Sequence, residues 1–194
     1  MYFYLYIAAF IFIAWLLRKF VFNSPVFTKK RNLSGKTCIV TGSSAGIGKE
    51  IAFDLLANGA HVVFACRDEK KTMGVIATVE NSEDRARAIF LKLDLCKVDS
   101  IINFTQEFRK LNRNIDILVN NAGLIVDGFI LAEGIESGIM ANHVGHKILT
   151  IQLLDKFSRD EARIVNLSSY AHHWADYTVE ELISLQIISG DLIG

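Results

Sequence analysis

The sequence predicts an α/β protein built on a doubly wound parallel sheet, and two observations favour this fold class. From Gly35 onward, short apolar runs typical of buried strands alternate with stretches that carry an apolar face at helical spacing. Glycine-bearing turns follow two of these runs, at Gly42 and at Gly123, where such a sheet holds its ligands. Strands separated by helices imply right-handed crossovers and a parallel sheet covered on both faces.

The predicted elements alternate along the chain from strand to helix. Strands are expected at Lys36–Val40, His61–Ala65, Ala88–Leu93, Ile115–Val119 and Arg163–Leu167. Helices are expected over Ile47–Asn58, over Asp68–Asn81, around the apolar stripe Ile101, Phe104, Phe108 and Leu111, and over Glu136–Phe157. The glycine-bearing motifs therefore lie at the carboxyl ends of strands.

Composition is typical of a globular domain and excludes several classes of function. The chain carries 21 basic and 21 acidic residues, evenly interspersed, so no basic stripe indicates nucleic acid. Its 3 cysteines are an odd number at wide spacing, and we expect them to be buried and reduced. The histidine pairs, His143 with His146 and His172 with His173, complete no tetrahedral ligand set, so no metal is predicted.

The N-terminal segment has a different character. Met1 to Leu17 contains no charged side chain, and Arg18-Lys19 follow directly. A helix of this length spans about 25 Å, and its extension through Phe22 predicts a transmembrane anchor over residues 1–22. The alternative is a cleaved signal peptide, which would place its basic residues before the apolar core. Residues 23–34 are expected to form a basic linker and residues 35–194 the α/β domain, on the cytosolic side.

The loop from Thr41 to Gly48 reads Thr-Gly-Ser-Ser-Ala-Gly-Ile-Gly and joins the first strand to the first helix of the domain. Glycine lets the backbone turn sharply and approach a pyrophosphate, and the N–H groups that open the helix bind the anion. A P-loop is excluded, because Ser43 stands at its first glycine and Glu50 at its Ser or Thr. The loop predicts a dinucleotide site, with a bare tight turn as the alternative.

Together with three further motifs, this loop resembles the short-chain dehydrogenase/reductase family, in particular its membrane-anchored, retinol-dehydrogenase-like branch. The matching segments are Thr41–Gly48, Asn120–Gly123, Asn142–His146 and Arg163–Ser169. The resemblance covers about Leu33 to Trp174. It implies a Rossmann-type domain that is incomplete at its C-terminal side, and a single-pass location in the endoplasmic reticulum membrane.

The resemblance also implies a bound nicotinamide nucleotide. The residues that would contact it are Gly42, Ser43, Ser44, Gly46, Ile47 and Gly48, then Asp94 and Leu95 at the adenine, and Asn121, Ala122 and Gly123 at the adenosine ribose. NADP is expected rather than NAD, because Arg67 is the first polar residue after the second strand and pairs well with a 2′-phosphate. The alternative, in which Arg67 is solvated or pairs with Asp68 or Glu69, stays open.

The family's catalytic groups are a tyrosine, a lysine four residues later that lowers its pKa, a serine and an asparagine. By resemblance, Asn142 matches the asparagine and Ser169 the serine, although Ser168 is close enough to be confused with it. The two serines could also simply cap a turn. Neither Tyr170 nor Tyr177 is followed four residues later by lysine, and the sequence contains no Tyr-x-x-x-Lys. A truncated, alternatively spliced or mispredicted product is the expected explanation.

The predicted function is that of an NADP-dependent oxidoreductase, which transfers hydride between nicotinamide and a carbonyl or alcohol. A lipophilic substrate such as a retinoid or steroid is expected by analogy. One alternative is a catalytically inactive nucleotide-binding fragment, and another is a product that barely folds. The expected partners are the small substrate and, through the N-terminal helix, a membrane. The oligomeric state is not predicted.

Overall fold

A computed structural model describes residues 2–20, 31–125, 127–158, 161–170 and 173 of the 194-residue chain. The chain divides into two compact units, residues 1–31 and 32–194. Most of the predicted linker, residues 23–30, lies outside the described residues, as do Trp174, Tyr177 and the closing segment 182–194.

The first unit contains helix α1 (Tyr2–Phe20), which has Arg18 and Lys19 in its last turn. Tyr4, Phe10 and Ile11 are among its exposed apolar or aromatic side chains. Among the helices of the described residues, none combines the length and the apolarity needed to cross a membrane. The predicted N-terminal helix is present.

The second unit alternates strands and helices as expected. In chain order its elements are β1 (Thr37–Thr41), α2 (Gly46–Ala57), β2 (His61–Cys66), α3 (Glu69–Ala77), α4 (Ser82–Ala86), β3 (Ala88–Lys92), α5 (Val98–Lys110), β4 (Ile117–Asn120), β5 (Leu131–Ala132), β6 (Ile135–Glu136), α6 (Ser137–Ile139), α7 (Gly145–Gln152) and β7 (Arg163–Asn166). A π-helical turn at Met140–Val144 joins α6 to α7, and a 3-10 turn at Leu154–Lys156 follows α7.

The main sheet has the strand order β3-β2-β1-β4-β7, and all four neighbouring pairs are parallel. The chain proceeds outward from β1 to β3, then returns to the other side of β1 with β4. Val40 of β1 is in register with Phe64 of β2 and with Val119 of β4. The strand order therefore reverses between β1 and β4, which is the position where doubly wound sheets bind ligands. The predicted parallel sheet with flanking helices is confirmed.

The two faces of the sheet bury separate apolar clusters, because successive strand residues point to opposite faces. Ile39 of β1 packs in one cluster, whose helical members come from α5 and α7 and include Phe104, Phe108 and Leu149. Its neighbour Val40 packs in the other, whose helical members come from α2 and α3 and include Leu56. The apolar stripe predicted for α5 is thus a core face.

Three local differences from the predicted elements are found. The single helix predicted over Glu136–Phe157 is interrupted by the π-helical turn, in which one extra residue per turn changes the direction of the side chains. The helix predicted over Asp68–Asn81 ends at Ala77, and α4 begins anew because the Asn81 side chain caps it. The hairpin of β5 and β6 was not predicted.

Candidate nucleotide-binding site

A cavity of about 520 Å³ lies at the carboxyl ends of β1, β2 and β4, where the strand order reverses. This volume is within the range of small-molecule sites. All of the predicted nucleotide-contacting residues except Ser43 line it: Gly42, Ser44, Gly46, Ile47, Gly48, Arg67, Asp94, Leu95, Asn121, Ala122 and Gly123. The lining also includes residues that were not predicted to contact the nucleotide, among them Cys66, Lys71, Cys96 and Leu124. The fold therefore brings four separated segments of the sequence to one place.

Helix α2 begins at this cavity without a side-chain cap. Its N-cap residue is Ala45, which has no polar side-chain atom, and its first turn carries no acidic residue. By contrast, the side chains of Asp68 and Asn81 cap α3 and α4. The first N–H groups of a helix need acceptors, and the helix dipole places partial positive charge there. The segment Gly46–Gly48 therefore presents a backbone site for an anion to the cavity.

The turn out of β1 depends on Gly42. Its φ is 68°, in the left-handed region that favours glycine, and a β-carbon there would lie 2.8 Å from Cα of Ala122. Gly42 therefore lies directly against Ala122 of the turn after β4. Only a residue without a side chain allows both this turn and this contact.

Ser43 differs from the other predicted loop residues. Its side chain is fully buried, and its hydroxyl donates to the carbonyl of Val40 at 3.1 Å and lies 3.4 Å from Sγ of Cys66. The hydroxyl is thus directed into the protein and does not line the cavity. Ser43 supports the loop from beneath, which a sequence motif does not reveal because it does not state the direction of each side chain.

The turn after β4 is fastened to the end of β1 through Thr41. The amide N–H groups of Asn121 and Ala122 both donate to Oγ1 of Thr41 at 2.9 Å, and Nδ2 of Asn121 donates to the carbonyl of Thr41 at 2.8 Å. Thr41 is itself completely buried. This hydroxyl therefore holds together the two loops that line the cavity. No role was predicted for Thr41 beyond its place in the motif.

Arg67 directly follows β2, lines the cavity and is exposed. Among the described residues, no side chain forms an ion pair with it, and Asp68 instead accepts from the backbone N–H of Lys71 at 2.9 Å to cap α3. The alternative pairing of Arg67 with Asp68 or Glu69 is not observed. Lys71 also lines the cavity, so two cationic side chains border it here.

The loop after β3 lines the cavity with Asp94, Leu95 and Cys96. Asp94 shapes this loop, because its carboxylate accepts from the N–H of Cys96 at 3.1 Å and its own N–H donates to Oγ of Ser100 at 2.9 Å. Burial, followed by the charge of Asp94, raises the pKa of the Cys96 thiol. Leu95 is buried beside this turn. The loop is therefore fixed by hydrogen bonds within itself and to α5, and the raised pKa keeps the Cys96 thiol protonated.

Asn142 lies in the π-helical turn and binds the backbone beyond the Asn121–Gly123 turn. Its Oδ1 accepts from the N–H of Leu124 at 2.6 Å, and its Nδ2 donates to the carbonyl of Leu124 at 2.9 Å. Asn142 thus holds the backbone of Leu124 in this structure. Ser169 is exposed and follows β7, and Tyr170 packs against His173 with ring centroids 4.8 Å apart.

The two histidines of the Asn142 segment have different surroundings. His143 is exposed. His146 is buried, with Nε2 2.8 Å from Oγ1 of Thr41 and Nδ1 3.3 Å from the carbonyl of Asn142. Burial is the largest influence on His146 and lowers its pKa. The connection between His146 and Thr41 was not predicted, because the two residues are far apart along the chain.

A second, more open cavity of about 440 Å³ lies at the opposite, amino end of the sheet. It is lined by polar groups around Lys36, Arg113 and Asp116. Asp116 accepts from Thr37 N at 2.9 Å, from Lys36 Nζ at 3.0 Å and from Ser158 Oγ at 3.1 Å. Because Lys36 and the other donors to Asp116 are already used in holding the strands together, this cavity is a less suitable ligand site than the one at the carboxyl ends.

Comparison with known proteins agrees with this arrangement. The family model described as short chain dehydrogenase matches residues 36–178. The chain is 39% identical over 153 residues to Retinol dehydrogenase 11 of Homo sapiens, which covers 78% of this chain and 48% of the relative. It is 41% identical over 160 residues to the Short-chain dehydrogenase TIC 32 B, chloroplastic, of Brassica napus, which covers 79% of this chain and 49% of the relative. The chain spans about half the length of the curated relatives it matches.

Solved structures show the same fold. The chain matches the crystal structure of an uncharacterized protein from Mycobacterium Paratuberculosis with a TM-score of 0.68 at 30% identity, covering 79% of this chain and 53% of that one. It matches a blue fluorescent protein from a metagenomic library, in complex with NADPH, with a TM-score of 0.64 at 24% identity, covering 80% and 64%. The glycine loop and the turn after β4, which meet at one cavity, both lie within the residues that the family model matches. The chain therefore belongs to the short chain dehydrogenase family, in its retinol-dehydrogenase-like branch.

Proposed function

We propose that the cavity at the carboxyl ends of the strands binds NADP(H), as part of an NADP-dependent carbonyl or alcohol oxidoreductase. The observation that carries the proposal is the uncapped start of α2, whose Gly46–Gly48 segment lines the cavity. A pyrophosphate supplies the acceptors that this helix start lacks, and its negative charge is stabilised by the helix dipole. Ile47 is 67% exposed at the same place, and a bound nucleotide would cover it.

The preference for NADP over NAD rests on the positive charges that follow β2 and line the cavity. Arg67 has no anionic partner among the described residues, and Lys71 lines the cavity with it. A guanidinium pairs with a phosphate through two parallel hydrogen bonds, whereas the 2′-hydroxyl of NAD would be better served by a carboxylate. The Asp68 carboxylate is already used in capping α3.

A catalytic role is proposed for Ser169, which would orient the substrate oxygen, and a positioning role for Asn142. When bound, the nicotinamide supplies or accepts the hydride, and the chain has to hold the reacting carbonyl and to provide a proton. The sequence contains no Tyr-x-x-x-Lys that would provide it. This specific observation favours a second candidate function, which is nucleotide binding without turnover.

The proposed substrate is a lipophilic alcohol or carbonyl compound such as a retinoid or steroid. Its support is the similarity to proteins named retinol dehydrogenases and the exposed apolar surface of α1, where Phe10, Ile13 and Trp15 are all more than half exposed. Membrane attachment through α1 is part of this proposal, together with the endoplasmic reticulum location and the cytosolic side for the domain. Arg18 and Lys19 at the end of α1 favour that side.

Two measurements on the full chain test these proposals. Isothermal titration with NADPH and NADH should give saturable binding that is tighter for NADPH. Oxidation of NADPH in the presence of retinal or a steroid ketone should then be followed by absorbance. Turnover that disappears in Ser169→Ala would support the enzyme, and binding without turnover would support the second candidate. Failure of both nucleotides to bind at millimolar concentration would exclude both candidates.

A further inference from the structure

We propose that His146 is a positioning residue of the dinucleotide site, which in its neutral form orients the Thr41 hydroxyl and thereby fixes the turn at Asn121 and Ala122. The inference rests on the proposed nucleotide binding, but it concerns a residue that does not line the cavity. His146 would act through Thr41 on one side and through the carbonyl of Asn142 on the other.

The hydrogen bonds of Thr41 determine which way its proton points. Its oxygen has two lone pairs, and the N–H groups of Asn121 and Ala122 both reach it at 2.9 Å. The hydroxyl proton can then go to Nε2 of His146 at 2.8 Å or to the carbonyl of Val119 at 3.3 Å. The shorter contact favours His146. A proton on Nε2 would instead be a third donor directed at an oxygen with no lone pair left.

The tautomer of His146 follows from the same hydrogen bonds. If Nε2 accepts from Thr41, the ring proton is on Nδ1, where it faces the carbonyl of Asn142 at 3.3 Å. This carbonyl belongs to the π-helical turn, and the side chain of the same Asn142 holds the backbone of Leu124. One buried imidazole therefore connects the end of β1, the turn after β4 and the π-helical turn.

Protonation of His146 would break this arrangement, because both ring nitrogens would then be donors. The side chain is buried, and burial lowers its pKa. The hydrogen bond to the carbonyl of Asn142 opposes this shift, and His143 of the same helical segment lowers the pKa further. From β1 and from the turn after β4 it faces the uncharged groups of Thr41 and the backbone. Because the folded pKa lies below the ordinary value, the stability that the neutral ring gives to this arrangement is complete above about pH 6.5. It is lost as the pH falls through the folded pKa.

Three variants of the full chain in detergent test the inference. His146→Leu removes the acceptor, and we expect NADP⁺ affinity to fall about tenfold. His146→Gln keeps an amide oxygen that can accept from Thr41 but cannot titrate, so we expect its affinity within about threefold of the unsubstituted protein at pH 7.5. The exposed His143→Leu is the control and should bind normally.

The pH dependence separates a positioning role from simple packing. The 2′-phosphate of NADP⁺ also titrates near pH 6. We therefore compare the slope of NADP⁺ affinity against pH between the unsubstituted protein and His146→Gln. We expect affinity to fall more steeply toward pH 5.5 when His146 is present. Equal slopes, or a His146→Leu variant that binds as tightly as the unsubstituted protein, would overturn the inference.

Two measurements on the nucleotide-free protein separate the test of the His146 inference from the test of the proposed function. Nitrogen NMR should show the Nδ1–H tautomer of His146, and His146→Leu should accelerate hydrogen exchange at the amides of Asn121 and Ala122 by several-fold. If the protein binds no nucleotide but shows both effects, the proposed function fails and the structural role of His146 stands. An Nε2–H tautomer with unchanged exchange overturns the inference whether or not nucleotide binds.

Discussion

Gly48 and Asn121 approach each other so closely that no side chain fits between them. A β-carbon on Gly48 would collide with Nδ2 of Asn121 and would lie 2.7 Å from the carbonyl oxygen of Gly42. The Asn121 amide that occupies this space donates to the carbonyl of Thr41 at 2.8 Å. The third glycine of the loop is thus needed for contact between α2 and the turn after β4, and not for a special backbone conformation.

The first prediction concerns this contact. Gly48→Ala should lower the free energy of unfolding by about 1–3 kcal/mol, because the backbone oxygen of Gly42 cannot move away without opening the loop. Nucleotide affinity should fall with it. The matched control is Gly74→Ala in the exposed part of α3, where a β-carbon meets nothing within 4 Å. Because alanine favours helix over glycine, this control should gain about 0.5–1 kcal/mol. Thermal unfolding measures the change in stability of each variant, and NADPH titration measures the change in affinity. Equal effects of Gly48→Ala and Gly74→Ala would contradict the account.

The second prediction concerns cofactor choice. Arg67→Gln should weaken NADPH binding by about tenfold to a hundredfold and leave NADH binding nearly unchanged, because one charge-assisted contact to the 2′-phosphate is lost. Arg113→Gln, at the amino end of the sheet, is the control for a general loss of positive charge. Isothermal titration with both nucleotides checks this. A parallel loss for NADPH and NADH would show that Arg67 does not contact the 2′-phosphate.

The third prediction concerns acid stability. Partial burial alone would raise the pKa of Asp116, but hydrogen bonds from Thr37, Lys36 and Ser158 outweigh it and hold this pKa below the ordinary value. Its stabilising contribution is therefore complete above the ordinary carboxyl pKa, near 4, and is lost as the pH falls through the lower folded value.

Asp116→Asn should accordingly cost about 1–3 kcal/mol at pH 7 and show a shallower loss of stability on acidification. Asp54→Asn on the exposed side of α2 should have little effect. Urea unfolding at pH 7 and at pH 3 measures the difference. If both variants keep the acid sensitivity of the unsubstituted protein, Asp116 does not hold the starts of β1 and β4 together as we describe.

The fourth prediction concerns the π-helical turn. Asn142→Asp removes the donor to the Leu124 carbonyl and sets a carboxylate against that oxygen, so the loop after β4 should open. We expect a loss of about 1–3 kcal/mol and faster proteolysis near residues 124–131. The same change at the exposed Asn103 of α5 is the control. Identical proteolysis of the two variants would show that Asn142 does not fix this loop.

The sequence was sufficient to predict the elements that depend on local pattern. Apolar runs marked the five strands of the main sheet, and the observed bounds differ from the predicted ones by one or two residues at most ends. The loop at Gly42 and the turn at Gly123 were placed at strand ends, so their meeting at one cavity followed from the fold class.

Other features depend on partners that are distant in sequence. The π-helical turn at Met140–Val144 lies within continuous helical periodicity, which gives no sign of an extra residue. The burial of the Ser43 hydroxyl depends on Cys66, and the environment of His146 depends on Thr41, 105 residues earlier. In the unpredicted hairpin, Glu133 and Gly134 both have positive φ, but the pair is not the Asn-Gly that signals such turns most clearly.

The central claim is that the start of α2 and the turn after β4 hold a dinucleotide. The most direct measurement is titration of ¹⁵N-labelled full chain with NADPH, followed by amide NMR shifts. We predict saturable shifts at Gly46–Gly48 and at Asn121–Gly123, with little change around Arg113 at the amino end of the sheet. Absence of shifts at millimolar NADPH, or shifts centred on the cavity at Lys36 and Arg113, would contradict the account.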